Sequence, residues 1–178
     1  ENFVNNGQLN WDRIFDANTT NASVALNNAY VLYEDRNDDK QFTINTIYNA
    51  EINNNISING KLEYKGLRSK NFAEVLDLLG GIGYLDINNF ADTEVQMQND
   101  VLNPNRVVGV GDKFRYNFNL SSVLINAFAQ VQFKYNKIDF YLAGNYTNTQ
   151  YQRDGLFQHE AYENNSFGKG EKIKFSGY

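Results

Sequence analysis

The chain has no cysteine and only one histidine, one methionine, one tryptophan and one proline in 178 residues. Without cysteine there is no disulfide, no thiolate nucleophile and no cysteine-based zinc site. A single imidazole, His159, excludes a multi-histidine metal centre, and nothing beside it in the sequence gives it a catalytic partner. Positive charge is also short: 16 basic against 21 acidic side chains leave a formal net charge of −5. That balance argues against a surface built to neutralise nucleic-acid phosphates. No run approaches the roughly 20 apolar residues of a membrane helix. The first thirty residues lack a basic start followed by an apolar core. With Glu1-Asn2-Phe3 in place of an initiator Met, the chain is expected to be processed or excised from a longer one.

What is present in quantity is asparagine, 29 residues, together with 12 Tyr and 13 Phe. Turn-forming amides mixed with aromatics suggest β structure with many turns. The mean hydropathy of −0.58 would normally indicate a water-soluble protein. Transmembrane β-strands escape that test, because they need only about 9–11 residues with every second one apolar.

Two hairpins have that pattern. From Phe42 to Ile52 the even positions read Phe, Ile, Thr, Tyr, Ala, Ile, and the odd ones are polar except Ile47. After Asn53-Asn54-Asn55 the alternation resumes with Ile56, Ile58, Gly60, Leu62, Tyr64 and Gly66 on one face and Ser57, Asn59, Lys61, Glu63 and Lys65 on the other. A three-residue loop with left-handed Asn residues sets Ile52 opposite Ile56 and Ile44 opposite Tyr64; a loop one residue longer or shorter would face apolar with polar. In the second hairpin, Ala127, Ala129, Val131, Phe133 and Tyr135 turn at Asn136-Lys137 and return as Ile138, Phe140, Leu142, Gly144 and Tyr146. The two-residue turn sets Phe133 opposite Phe140 and Val131 opposite Leu142, and on the other face Lys134 opposite Asp139, an opposite-charge pair.

The apolar stretches measure 11, 11, 9 and 9 residues, the span a tilted strand needs to cross a bilayer. Tyr64, Tyr135 and Tyr146 sit at their ends, as interfacial aromatics would, whereas Tyr48 is mid-strand. Short turns alternate with long connections, so the long ones share one side of the sheet, the asymmetry of outer-membrane barrels. A soluble antiparallel sheet with one face on a core gives the same alternation. Strand length and loop asymmetry favour the barrel wall, and no helix in the sequence is long enough to cover such a sheet. Four strands and a fifth opened by Lys172-Ile173-Lys174-Phe175 fall short of the roughly eight that close a barrel, so the chain is expected to be part of a larger one or to need other copies.

Between the hairpins, Asn71-Phe72-Ala73-Glu74 reads as a capping box for a short helix from Phe72 to Leu79 that stops at Gly80-Gly81. Trp11, Ile14 and Phe15 are spaced as one face of another helical turn. Tyr30 to Tyr33 and Phe114, Tyr116, Phe118 and Leu120 read as strand continuations above the membrane. Sites with chemistry are few. Asp35, Asn37 and Asp39 have the spacing with which calcium loops begin, but Lys40 and Thr46 stand where such a loop needs Gly and Glu. Gly80-Gly81-Ile82-Gly83 and Gly109-Val110-Gly111 lack the Lys-Ser/Thr of a phosphate loop and read as turns. Asn18-Thr19-Thr20 and Asn145-Tyr146-Thr147 are glycosylation-type triplets of the kind chance supplies in so Asn-rich a chain.

Gly111-Asp112-Lys113-Phe114-Arg115-Tyr116-Asn117, Ala127-Phe128-Ala129-Gln130 and Asp139 through Thr149 resemble the barrel of TonB-dependent outer-membrane receptors of the carboxypeptidase-regulatory-like, SusC-related type. Asp38 to Phe42, Tyr151 to Gly155 and Asn165 to Lys172 extend the likeness over most of the chain from about Tyr30. The resemblance implies a plugged barrel of about 22 strands that imports a scarce nutrient. Its implied partners are the rest of the barrel and plug, the TonB energy-coupling complex, outer-membrane lipids and a surface lipoprotein. No plug and no TonB box are recognisable here.

The expectation is therefore an all-β, antiparallel up-and-down transmembrane barrel wall in the bacterial outer membrane. It comprises hairpins 40–66 and 122–149, and extracellular loops 1–29, 67–110 and 150–170 that carry short helices. Lumen-lining candidates are Asn45, Asn49, Asn59, Glu63, Gln130, Gln132 and Asn145; lipid-facing candidates are Ile44, Ile58, Leu62, Val131, Phe133, Phe140 and Leu142. The long loops would capture a siderophore, glycan, peptide or similar nutrient. No enzymatic activity, cofactor or nucleic-acid partner is expected. The alternative is a soluble or surface-attached, non-enzymatic β-sheet module that binds glycans through Tyr and Trp.

Overall fold

In the computed structural model, which describes residues 7–178, helix α1 (Trp11–Ser23) precedes strands β1 (Leu32–Asn53) and β2 (Ile56–Asp77). The short strands β3 (Tyr84–Leu85) and β4 (Val107–Val108) follow, then the long β5 (Lys113–Tyr135) and β6 (Ile138–Gly155). A 3₁₀ turn (Glu160–Tyr162), the short helix α2 (Glu163–Ser166), and strands β7 (Gly168–Lys169) and β8 (Ile173–Gly177) complete the chain. The main sheet has the order β1-β2-β5-β6-β7, with β8 also on β6, and β3 and β4 form a sheet of their own. The fold is mostly antiparallel β with few helices, and the described strands do not close into a barrel. No described helix is long and apolar enough to cross a membrane, which says nothing of strands that cross as a barrel.

The second hairpin has the expected turn. Asn136 takes the left-handed conformation at φ 43°, which asparagine tolerates better than most residues. The Phe133 and Phe140 rings stack at 4.8 Å on one face. On the other, the Asn126 amide donates to the Thr147 hydroxyl at 2.7 Å. In the first hairpin only Asn54-Asn55 lie between the strands, where a three-residue loop of left-handed Asn is expected, and neither has a positive φ; Lys40, Phe42, Tyr64 and Arg68 nevertheless line one hollow, so the expected facing of even with even positions is kept. The Asn53 side-chain oxygen accepts the Asn55 N–H at 2.9 Å, and this local bond closes the turn without a left-handed residue. Lys134 N–H donates to the Asn55 carbonyl at 2.8 Å, tying the turn to β5. The expected fifth strand is β8, which runs antiparallel to β6 from Thr147 opposite Gly177 to Tyr151 opposite Ile173.

The helix expected from Phe72 to Leu79 is a correction: β2 runs through to Asp77. Val75 N–H donates to the Asp112 carbonyl at 3.0 Å, and Gly111 N–H to the Val75 carbonyl at 2.8 Å. Glu74 caps nothing; it pairs with Arg36 at 3.3 Å, and the Phe72 ring lies under the Arg36 and Lys113 cations at 5.3 and 4.0 Å. These partners are distant in sequence, and they override a weak local helix preference. The expected loop bounds shift accordingly: 67–77 of loop 67–110 and 150–155 of loop 150–170 are strand. Residues 1–6 of loop 1–29 lie outside the described residues, and the helical turn expected at Trp11 is α1. Each strand of the two hairpins is about twice the length needed to cross a bilayer.

The chain divides into two compact units. The loop unit comprises the chain up to Asn37, Lys70–Phe118 and Gly155–Gly168; the hairpin unit comprises Asp38–Ser69, Asn119–Asp154 and Lys169–Tyr178. Among the described residues the buried hydrophobic ones, Phe72, Ala73, Val75, Leu79, Val108 and Phe114, all belong to the loop unit. Phe114 centres that core, with Tyr33 and Tyr84 edge-on to it at 5.3 and 5.9 Å. α1 presents a polar residue inward: Asn18 is fully buried, and its amide replaces backbone partners for the 29–30 and 78–79 segments.

Candidate functional site

The loop unit holds a cleft, and the hairpin unit a hollow and an exposed apolar face. In the loop unit, Val31, Tyr33, Tyr84, Asn88, Asn89, Phe90, Asn99, Arg115, Tyr116 and His159 surround a cleft of about 480 Å³. Its floor is the Phe114 core and its rim is Phe90, which is almost wholly exposed. Aromatic walls with a few amides, one guanidinium and one imidazole are the usual make-up of a small-ligand site. Asp86, 3% exposed, holds this cleft in shape. Its carboxylate accepts from Arg106 at 2.6 Å, the Asn99 amide at 2.7 Å and the Arg115 N–H at 2.9 Å. Three donors on a buried carboxylate compensate the cost of removing its charge from water.

The last of those bonds holds Arg115 in the left-handed conformation, φ 61°, inside a strand. That conformation costs a non-glycine residue about 1–2 kcal/mol, and the Asp86 contact offsets it. The guanidinium stacks over the Tyr33 ring at 5.1 Å and donates to the Tyr33 hydroxyl. No carboxylate pairs with it among the described residues. Next to it, the Tyr116 hydroxyl donates to Asp35 at 2.9 Å. Partial burial, that bond and the Asp35 charge together raise the Tyr116 phenol above its usual 10.0. His159 sits at the cleft with Nδ1 accepting the Ala161 N–H at 3.3 Å, so Nε2 is its free position.

The calcium-loop spacing at Asp35, Asn37 and Asp39 falls within the extended run of β1. There, alternate residues are about 7 Å apart along the strand and do not curl round an ion. Among the described residues no group of three His, Asp or Glu could hold a metal. The glycine-rich segments are turns, and Gly81 lies against the Asn28 carboxamide, where any side chain would collide.

All the lumen and lipid candidates are in the hairpin unit. Ile44, Leu62, Phe140 and Leu142 are exposed by 57, 62, 50 and 74%, and Ile58, Val131 and Phe133 are half-buried. Asn45, Asn49 and Asn145 are exposed, and Asn59, Glu63, Gln130 and Gln132 half-buried. Polar side chains meet across the second hairpin, Asn126 with Asn145 at 2.8 Å and Gln132 with Asp139 at 3.1 Å. The Asp139 partner found here is Gln132, in place of the expected Lys134. The second hollow, about 560 Å³, also belongs to this unit.

Sequence reasoning missed Asp86, Arg106 and Asn99, and read Arg115 only as the polar side of an alternating strand. The alternation Lys113, Arg115, Asn117 placed it correctly in β5, but its role depends on Asp86, 29 residues away. Comparison with known protein families, curated proteins and solved structures finds no match to this chain.

Proposed function

We propose that the chain is part of the wall of a transmembrane β-barrel in the bacterial outer membrane, a segment of a TonB-dependent transporter. Its loop-unit cleft captures a nutrient that then passes along the Asn- and Gln-lined face. One observation carries this reading: the hairpin unit buries no hydrophobic side chain at all. Its apolar face presents Phe42, Ile44, Leu62, Ile138 and Leu142 at 57 to 74% exposure. A sheet in water buries such a face, because each large apolar side chain left exposed forgoes about 1.5–3 kcal/mol. Lipid gives the face an apolar surrounding without a protein layer. In lipid the outer edge of β1 needs another strand, so further strands are partners in this proposal, together with the plug and the TonB complex that the resemblance implies.

The alternative, a soluble or surface-attached binding module, needs a cover over that same face. Expression of the full-length protein, membrane fractionation and electrophoresis with and without boiling separate the two. Outer-membrane localisation, a detergent requirement and a heat-dependent mobility shift are the expected results. A monodisperse protein in detergent-free buffer sinks the transporter reading.

A further inference from the structure

The 560 Å³ hollow in the hairpin unit is lined by Lys40, Arg68 and Lys172, with Phe42, Tyr64 and Ser121 among its other walls. Lys40, Phe42, Tyr64 and Arg68 share the alternate register of Ile44 and Leu62. They therefore stand on the apolar face, at the end of the apolar stretches away from the Asn54-Asn55 turn. None of the three cations pairs with a carboxylate among the described residues, although the chain as a whole is acidic. Three uncompensated cations beside two interfacial aromatics, above an apolar belt, complement a headgroup that carries phosphate on an acyl-chain anchor. We propose that this hollow binds the phosphate of an anionic lipid of the outer leaflet.

The inference rests on the barrel reading and adds a ligand to it. Lys40 and Lys172 contribute point charges, Arg68 presents a forked donor suited to phosphate oxygens, and Tyr64 and Phe42 border the acyl chains. The neighbouring Ser121 hydroxyl already donates to the Gln152 carbonyl at 3.4 Å, and the Gln152 amide to the Gly170 carbonyl at 3.0 Å. These bonds connect the wall of the hollow from β5 through β6 to the segment before Lys172.

The test is native mass spectrometry of the full-length protein in detergent, titrated with dioleoylphosphatidate or dioleoylphosphatidylcholine, with inorganic phosphate as competitor. The expected result is selective retention of phosphatidate, weakened about fivefold for each of Lys40→Gln, Arg68→Gln and Lys172→Gln, and little displaced by inorganic phosphate. Equal retention of the two lipids by the unmodified protein overturns the proposal, as does a triple variant with undiminished preference. Complete displacement by inorganic phosphate also overturns it, by reducing the hollow to a free-anion site. If the protein inserts into membranes but shows no phosphatidate preference, only this inference falls. If it needs no detergent, it falls together with the barrel reading.

Discussion

Asn18 in α1 donates from Nδ2 to the carbonyl oxygen of Leu78 at 3.0 Å, across 60 residues of sequence. The same amide donates to the Tyr30 carbonyl at 2.9 Å, and its oxygen accepts the N–H groups of Ala29 and Tyr30 at 3.0 and 3.1 Å. One fully buried side chain thus satisfies backbone on both sides of the α1 contact. Asn18→Ala leaves these groups unpaired away from water, at about 1–3 kcal/mol for each that finds no substitute. The expected loss is about 3 kcal/mol, read as faster hydrogen exchange over residues 11–31. A change within the roughly 0.5 kcal/mol of an ordinary surface substitution would show that α1 is held by other contacts.

Gly81 and Asn28 give a second, coupled prediction. A β-carbon at Gly81 would fall inside the Asn28 carboxamide, which donates to the Leu78 carbonyl and accepts the Gly83 N–H at 3.3 Å. Gly81→Ala therefore has to displace a side chain already committed to buried bonds, with an expected cost of about 2 kcal/mol. Asn28→Ala removes the obstacle. The double variant is then expected to be less destabilised than the sum of the singles, by about 1 kcal/mol or more. Additive losses in denaturant unfolding would mean that the two positions do not compete for space.

The parts of the fold legible in the sequence are those in which neighbours decide. Asn136-Lys137 combines a left-handed-tolerant residue with alternation on both sides, and strands, turn and facing rings followed. The stretch from Phe72 to Leu79 had equally clear local signals for a helix, yet Arg36, Gly111, Asp112 and Lys113 recruit it into β2. The cleft was hidden for a similar reason. Asp86 gathers Arg106 and Arg115 from 20 and 29 residues away, and no short-range pattern marks one aspartate among many as the one that is buried. The alternating apolar face was visible from the start, because it depends on period alone.

Tyr116 gives the chain a testable alkaline response. It lies in the loop unit, beyond the apolar stretches, and its folded-state phenol titrates above 10.0 because of burial, its hydrogen bond to Asp35 and the Asp35 charge, while Arg115 acts in the opposite sense. A raised folded-state value means that the native protein holds the proton where the unfolded chain has lost it. The stability contribution is present below about pH 10 and is lost as pH rises through the folded-state value. Tyr116→Phe removes this group from the titration, so its unfolding curve is expected to fall less steeply above pH 10 than that of the unmodified protein. Parallel curves in that window would dissociate Tyr116 from alkaline unfolding.

Leu142 and Gln130 offer the sharpest test of which face meets lipid. They stand on opposite faces of the second hairpin, Leu142 with Phe140 and Gln130 with Gln132, and Leu142 is 74% exposed. In water, arginine at so exposed a position changes stability little. In a bilayer the same change places a guanidinium in hydrocarbon at about 2–4 kcal/mol near the midplane, whereas a lumen-facing arginine stays hydrated. Leu142→Arg is thus expected to lower the folded fraction in phosphatidylcholine vesicles sharply, and Gln130→Arg to leave it near that of the unmodified protein. The readout is the fraction with heat-modifiable mobility after refolding. If both variants fold equally well, neither face is buried in lipid. If Gln130→Arg fails and Leu142→Arg does not, the faces are reversed and the transport path runs along the apolar side, which a polar nutrient could not follow.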